Sequence, residues 1–334
     1  IDTWLLWNLT EKNSHITDIT NASRTMLFDP KKESWSKELS KLFNIPLNIL
    51  PKIAPNSFKF GTTKLFGQKI DIGGMAGDQQ AATIGQACFE KGQAKSTYGT
   101  GCFLLTNIGK KFKLSKNKLL TTVAYKIGNE KMYCYEGSIF VAGSAIKWLR
   151  DKLLMFKNAK ETNFLYSEAN PNEDIVVVPA LTGLGAPHWQ PNVRGGIFGL
   201  TRNTAIPEII KATIDSISFQ TSDLLESIEK DLKLTIKEIR VDGGMIDNNK
   251  FIQSLADILQ IKIIKPNNIE TTSLGVAYLA GINSGLIKDT NTISKLWKIK
   301  KVFKPKIKKT IAKKQLKKWK AILNLLIKYH SLYD

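Results

Sequence analysis

Apolar positions along the chain change their spacing in a way that separates strands from helices. Four in a row, Trp4-Leu5-Leu6-Trp7, predict a short strand ahead of a polar turn over 11–14. Trp35, Leu39, Leu42 and Phe43 recur at helical spacing and predict an amphipathic helix over 35–50, broken by Pro46 and Pro51. Ile70 and Ile72 lead as a strand into the small-residue turn Gly73-Gly74-Met75-Ala76-Gly77-Asp78, and the Ala-rich stretch 79–88 follows as a helix. A strand-rich block covers 93–141, with strands at 101–107, 119–125 and 132–135, before a helix over 142–155.

The continuous apolar run 175–178 predicts a buried parallel strand. After the turn-rich 182–187, a long helix over 207–230 carries Pro207 near its start, where a missing N–H costs least. Ile239-Arg240-Val241 predicts a strand running into Asp242-Gly243-Gly244, then a helix at 254–259, a strand at 261–264 and a helix at 274–286. The Lys-rich segment 298–318 predicts a solvated helix face, with Trp319, Ile322, Leu323 and Leu326 packing inward. This alternation points to layered α/β architecture. The 334 residues allow two domains, with no internal repeat or long linker.

Composition narrows the picture. At 43% hydrophobic and 23% charged residues the chain is an ordinary globular one, and no apolar run approaches a membrane-spanning length. No basic n-region precedes an apolar run at the start, so no signal peptide is expected. The net charge of +20 says less than its size suggests. Only five basic residues are Arg, the usual tool for bidentate phosphate and base recognition, and residues 288–334 alone hold 15 Lys against two Asp. That tail reads as a solvated face, and neither nucleic acid nor membrane is expected as a partner. Cys88, Cys102 and Cys134 form no C-x-x-C pair and read as small core hydrophobes in a reducing, cytoplasmic setting.

Three glycine-rich strand exits carry the candidate chemistry. Asp78 stands where a strand ends and a helix starts, a place where ligands bind in open α/β sheets. A carboxylate there can take a proton from a hydroxyl or position a metal ion, and it can equally be a helix N-cap. Tyr98-Gly99-Thr100-Gly101-Cys102 can cradle a phosphate with backbone N–H groups and the Thr100 hydroxyl, or simply turn a β-hairpin. Asp242-Gly243-Gly244, followed by Asn248, suits a nucleotide or a tight turn. No P-loop and no complete dinucleotide fingerprint occurs. Together the three exits favour a phosphate-handling enzyme.

Ordered segments along the whole chain resemble the FGGY family of carbohydrate kinases, and most closely its glycerol-phosphorylating branch. They include 17–28 (TDITNASRTMLF), 74–89 (GMAGDQQAATIGQACF), 96–103 (STYGTGCF), 136–150 (EGSIFVAGSAIKWLR), 179–189 (PALTGLGAPHW), 240–249 (RVDGGMIDNN) and 270–281 (ETTSLGVAYLAG). The resemblance implies an α/β, actin/hexokinase-like (ribonuclease H-like) ATPase fold and ATP-dependent phosphorylation of glycerol to glycerol 3-phosphate. It implies Asp78 as the general base beside the Mg²⁺ of MgATP, and Gln79 and Phe103 as glycerol contacts. Thr100 then serves as the phosphate-loop hydroxyl, with Gly143, Lys147, Gly244 and Asn248 around the nucleotide. Lys147 departs from the family, which usually has Gln there, and the loop 61–68 departs from the pattern used for sugar-bisphosphate regulation. A homo-oligomer, dimer or tetramer, is the common family state.

By the same resemblance, residues 1–86 correspond to the C-terminal part of the family's first domain, and residues 87–334 to its second domain with the Lys-rich terminal helix. The other phosphate hairpin and several glycerol-binding residues belong to the family's N-terminal portion, which this sequence does not contain. A chain without them is expected to show little activity alone. The alternative is a non-catalytic remnant, or one half of a split kinase, that binds a nucleotide or a partner.

Overall fold

The computed structural model describes residues 1–332. Seven strands, β1 (Ala94–Tyr98), β2 (Cys102–Gly109), β3 (Leu120–Ile127), β4 (Glu130–Ile139), β5 (Glu238–Asp242), β6 (Lys262–Pro266) and β7 (Ile299–Phe303), form one mixed sheet in the order β7-β6-β5-β1-β2-β4-β3. The pairs β1–β5 and β5–β6 are parallel, and the remaining neighbours are antiparallel. Four of the five residues of β1 are buried, as a central strand covered on both faces requires.

The helices that matter for the site are α1 (Asp78–Gly85), α2 (Gly143–Asp151), α3 (Ile206–Leu232), α4 (Asn249–Leu259), α5 (Thr271–Asn283) and α6 (Lys309–His330). Glu208 reaches back to the Ala205 N–H at 2.9 Å and starts α3 one residue before Pro207. Asn248 caps α4 by accepting from the N–H groups of Lys250 and Phe251. The core gathers where these helices meet the sheet. Tyr98 packs edge-on against Phe251 at 4.9 Å between ring centroids, and its hydroxyl bonds to that of Thr221 at 3.1 Å. The predicted inward residues of α6 behave as expected. Trp319 stacks on Phe219 and donates to Asp223 Oδ2 at 2.9 Å, with Leu323 and Leu326 buried beside it.

Ile16–Asp18 pairs in parallel with Lys52–Ala54, and Ser57–Thr63 pairs antiparallel with Ile70–Gly74. Arg24 clasps the buried Glu136 with two bonds of 2.9 Å, and Glu33 pairs with Lys126 and Lys131. Bidentate geometry of this kind fixes orientation as well as distance. Among the described residues, no helix is long and apolar enough to cross a membrane.

Several expected elements differ. The run Trp4–Trp7 lies in a helix, Asp2–Leu9, because only Leu6 of the four is buried, while Trp4 and Leu5 stay 65% and 48% exposed. One deep contact per turn is a helical pattern that four consecutive apolar residues conceal. The helix expected over 35–50 shrinks to Lys37–Leu42. Trp35 belongs to a two-residue strand, and Asn44 turns the chain with φ of 58°. Val176–Val178 is buried throughout, as expected, yet it pairs antiparallel with Gly196–Phe198 in a separate small sheet. The segment 298–318 holds the edge strand β7 before α6, hidden in sequence by Lys300 and Lys301. Edge strands tolerate Lys because one side meets water. The three cysteines are free and buried, and burial pushes the Cys88 and Cys102 thiols up to about 11 and about 12.

Candidate active site

The strand Ile70–Gly74 delivers the chain to Asp78 through a tightly held turn. Gly74 abuts α5, where an added Cβ would lie 2.7 Å from the Ala280 nitrogen. Asn56 then brackets Met75, accepting its N–H on the backbone oxygen at 3.0 Å and donating its side-chain amide to the Met75 carbonyl at 2.9 Å. The Gly77 N–H donates to the Thr20 hydroxyl at 2.9 Å. Both anchors hang on Asp18, whose Oδ1 accepts from the Thr20 N–H at 2.7 Å, from Asn56 Nδ2 at 2.8 Å and from the Thr20 hydroxyl. The segment Thr17–Thr20 is therefore a latch under the loop that carries Asp78.

Burial raises the Asp18 carboxyl to about 6, against the lowering effect of its bonds from Thr20 and Asn21. A carboxyl whose pKa is raised on folding holds its proton longer in the folded state. It therefore subtracts stability as pH rises from about 4 to about 6, opposite in sign to the usual carboxylate. In urea titrations at pH 4, 5 and 6, the stability of wild type relative to Asp18→Asn should decline with rising pH. A constant difference would refute the assignment.

Asp78 is exposed at the first residue of α1, and Gly77 occupies the N-cap. The capping role that Asp78 could have filled thus belongs to another residue. Its Oδ1 accepts from the Gln79 N–H at 2.7 Å. Gln79 is half-buried beside it and reaches β1, where Lys95 Nζ donates to Gln79 Oε1 at 2.5 Å and to the Thr97 hydroxyl at 2.9 Å. Phe103, opposite Thr97 in the ladder, is half-buried and packs against the apolar cluster of Ile84, Leu105 and Tyr125.

The Gly-Thr-Gly segment is indeed the hairpin turn between β1 and β2, closed by Gly99 N–H to Gly101 O at 2.9 Å. Hairpin and helix start are joined as one unit. The Thr100 carbonyl accepts from the Ala142 and Ser144 N–H groups at 3.0 Å each, and the Gly99 carbonyl from the Gly143 N–H at 3.0 Å. A Cβ on Gly143 would lie 2.5 Å from the Gly99 oxygen, so only glycine permits this approach. Gly243 has φ of 92°, and a Cβ there would lie 2.5 Å from the Tyr98 oxygen. The hairpin and the Gly243 exit therefore meet at the carboxyl end of β1, and the Asp78 exit reaches the same strand through Gln79 and Lys95.

Beside them opens a cavity of about 350 Å³, whose lining includes Gly143, Lys147, Gly244 and Asn248 together with Asn163 and Phe156. The space around Gly244 is open, with nothing within 4 Å of where a Cβ would sit. Thr100 lies at the hairpin tip outside that lining, bonded through its carbonyl to the start of α2. Asn248 faces the cavity while its side chain caps α4 and donates to Thr162 at 3.0 Å. Arg150 and Lys160 also line the cavity and were not anticipated, because surface cations in a Lys-rich chain carry no distinguishing pattern. Lys95 was missed as well. Its signal was a basic residue inside a strand, four residues before the glycine turn that closes the same strand. Among the described residues, no group of three or more His, Cys, Asp or Glu side chains could hold a metal ion.

Comparison with known proteins agrees with this architecture. The sequence matches the C-terminal domain of the FGGY family of carbohydrate kinases over residues 94–284 and its N-terminal domain over 1–85. It is 46% identical to the glycerol kinase of Mycoplasma pneumoniae over 99% of this chain and 67% of that protein. It is 50% identical to the glycerol kinase of Gluconobacter oxydans over 92% of this chain and 60% of that one. A crystal structure of Plasmodium falciparum glycerol kinase with ADP superposes with a TM-score of 0.90 at 37% identity, over 97% of this chain and 65% of that one. The chain thus spans about 60 to 67% of the length of these relatives. With both family domains matched in order and the actin/hexokinase-like α/β fold in place, the chain belongs to the FGGY family of carbohydrate kinases.

Proposed function

We propose that this chain carries out ATP-dependent phosphorylation of glycerol to glycerol 3-phosphate, with Asp78 as general base. The observation that supports it best is the arrangement of these three features around β1. The glycine hairpin of Thr100 is joined by backbone hydrogen bonds to Gly143 at an open cavity, and the helix start with the exposed carboxylate is tied to the same strand through Gln79 and Lys95. Phosphoryl transfer asks mainly for positioning and for stabilisation of charge, which such a scaffold provides.

In this reading the adenine and ribose occupy the cavity between α2 and the Gly243-Gly244 loop, and the phosphates run past the hairpin toward Asp78. Lys147, Arg150 and Lys160 give the cavity a cationic lining suited to an anionic nucleotide. Gln79 and Phe103 contact glycerol through a polar edge and an apolar wall. Asp78 accepts the proton of the attacking hydroxyl, which sharpens the oxygen as a nucleophile. The donor set also fits a nucleotide-borne Mg²⁺, which typically takes one or two carboxylates plus substrate phosphates rather than a protein cage. Bound near Asp78, that ion would neutralise charge on the transferring phosphoryl group. Residues 1–86 and 87–334 then form the two walls of the cleft, residues 333 and 334 lying outside the described part.

Calorimetry with MgATP and with glycerol, followed by phosphorus NMR of the mixture, tests the proposal. Saturable binding of both and glycerol-dependent accumulation of glycerol 3-phosphate, at however low a rate, are expected. ADP release that glycerol does not increase, or no glycerol binding, would overturn it.

A further inference from the structure

Lys95 is fully buried in a central strand, a setting where Lys is rarely found without a charged partner. Its two hydrogen-bond partners, Gln79 and Thr97, are both neutral. Among the described residues it forms no ion pair. The nearby carboxylates are engaged elsewhere: Asp242 accepts from Gln86 and Thr271, and Glu136 from Arg24. An unpaired buried ammonium costs stability, and burial does hold the Lys95 pKa below its ordinary value. What the cost secures is visible in the geometry. An ammonium only donates, so the Gln79 atom that it meets must be the amide oxygen. The Gln79 NH₂ group has no protein partner among the described residues, and it is not one of the wholly buried unpaired atoms.

We infer that Lys95 is a positioning residue that fixes the Gln79 carboxamide oxygen-inward, so that its NH₂ donors face a substrate hydroxyl beside Asp78. The site then reads two neighbouring hydroxyls of a polyol in opposite senses. One gives its proton to Asp78, and the other accepts a hydrogen bond from Gln79. This rests on the phosphorylation site proposed above, and it adds the polarity with which that site reads its substrate.

Three variants of the full chain separate the idea from a merely structural role. Lys95→Met removes the ammonium, and should weaken glycerol binding roughly 5–10-fold, the scale of a lost hydrogen bond between neutral groups. The MgATP affinity should stay within about twofold, because the cavity lies outside this contact. Gln79→Glu preserves a partner for Lys95 but has no N–H donor, so it should fold as stably as wild type and bind glycerol as poorly as Lys95→Met. Thr97→Val, which leaves the Lys95–Gln79 bond, should keep glycerol affinity within about threefold. NMR of side-chain amides labelled with ¹⁵N on Gln, read without any ligand, should show an ordered Gln79 NH₂ in wild type and an averaged one in Lys95→Met. Because this arm needs no substrate, an ordered signal in both proteins overturns the inference even where glycerol phosphorylation stands. Equal loss of glycerol and MgATP affinity in Lys95→Met, or normal glycerol binding by Gln79→Glu, overturns it too. If wild type binds MgATP but no glycerol, the functional reading fails first, whatever the amide signals show.

Discussion

Replacing Asp78 with Asn should lower the rate of glycerol phosphorylation by roughly 10²–10⁴-fold, the range seen when a general base is removed. The substitution is close to isosteric and keeps an oxygen that can accept the Gln79 N–H, the one side-chain hydrogen bond that Asp78 makes among the described residues. Its exposure means that no packing is disturbed. The loss should therefore fall on the chemical step. Nucleotide affinity should persist, because the cavity at Gly143 and Gly244 is lined by other elements. Single-turnover rates at saturating substrates, set beside calorimetric affinities, read the two effects separately. A rate within tenfold of wild type would remove Asp78 from the role of base. A large fall in MgATP affinity with a small change in rate would instead mark it as chiefly a holder of the metal–nucleotide complex.

That site was legible in the sequence for a physical reason. Glycine-rich turns at strand exits are local signals: Gly243 is a glycine because the Tyr98 carbonyl occupies the space of a side chain, whereas Gly143, close against the Gly99 carbonyl, entered only through the family resemblance. The strand feeding Asp78 and the long helix after Pro207 were also local, set by periodicity and by start signals. What escaped detection depends on long-range contact. Whether Trp4–Trp7 is strand or helix is decided by Leu6 meeting Ala54 and Phe60, some fifty residues on. Lys95 resembles the chain's many surface lysines until β1 is seen to lie in the middle of the sheet. Asp18 looks like a turn former, and its role as a latch appears only once Asn56 and Gly77 are brought to it. Val176–Val178 shows the converse limit, where burial was readable and the partner strand was not.

Gly275→Ala should be the most damaging small substitution in the molecule. Helices α1 and α5 touch backbone to backbone at Gly85 and Gly275. An added Cβ on Gly275 would lie 1.8 Å from the Ala81 oxygen, and one on Gly85 would lie 1.9 Å from the Thr271 oxygen. Neither obstacle is a side chain that could rotate away, so the helices themselves must separate. Alanine favours an isolated helix by about 1 kcal/mol over glycine, but overpacking against rigid backbone costs about 3 kcal/mol or more, so the clash wins. Separation also opens the apolar cluster of Ile84 and Leu279 between the same helices. Because α1 begins at Asp78, the same movement shifts the base relative to the Thr100 hairpin. Activity at temperatures well below unfolding should fall along with stability. Gly244→Ala is the informative comparison, since open space surrounds that position. It should unfold at the wild-type urea midpoint and act, if at all, through nucleotide affinity. If Gly275→Ala unfolded at the same urea concentration as wild type, the close approach of α1 and α5 would be wrong, and with it the account of how α5 braces the helix that begins at Asp78.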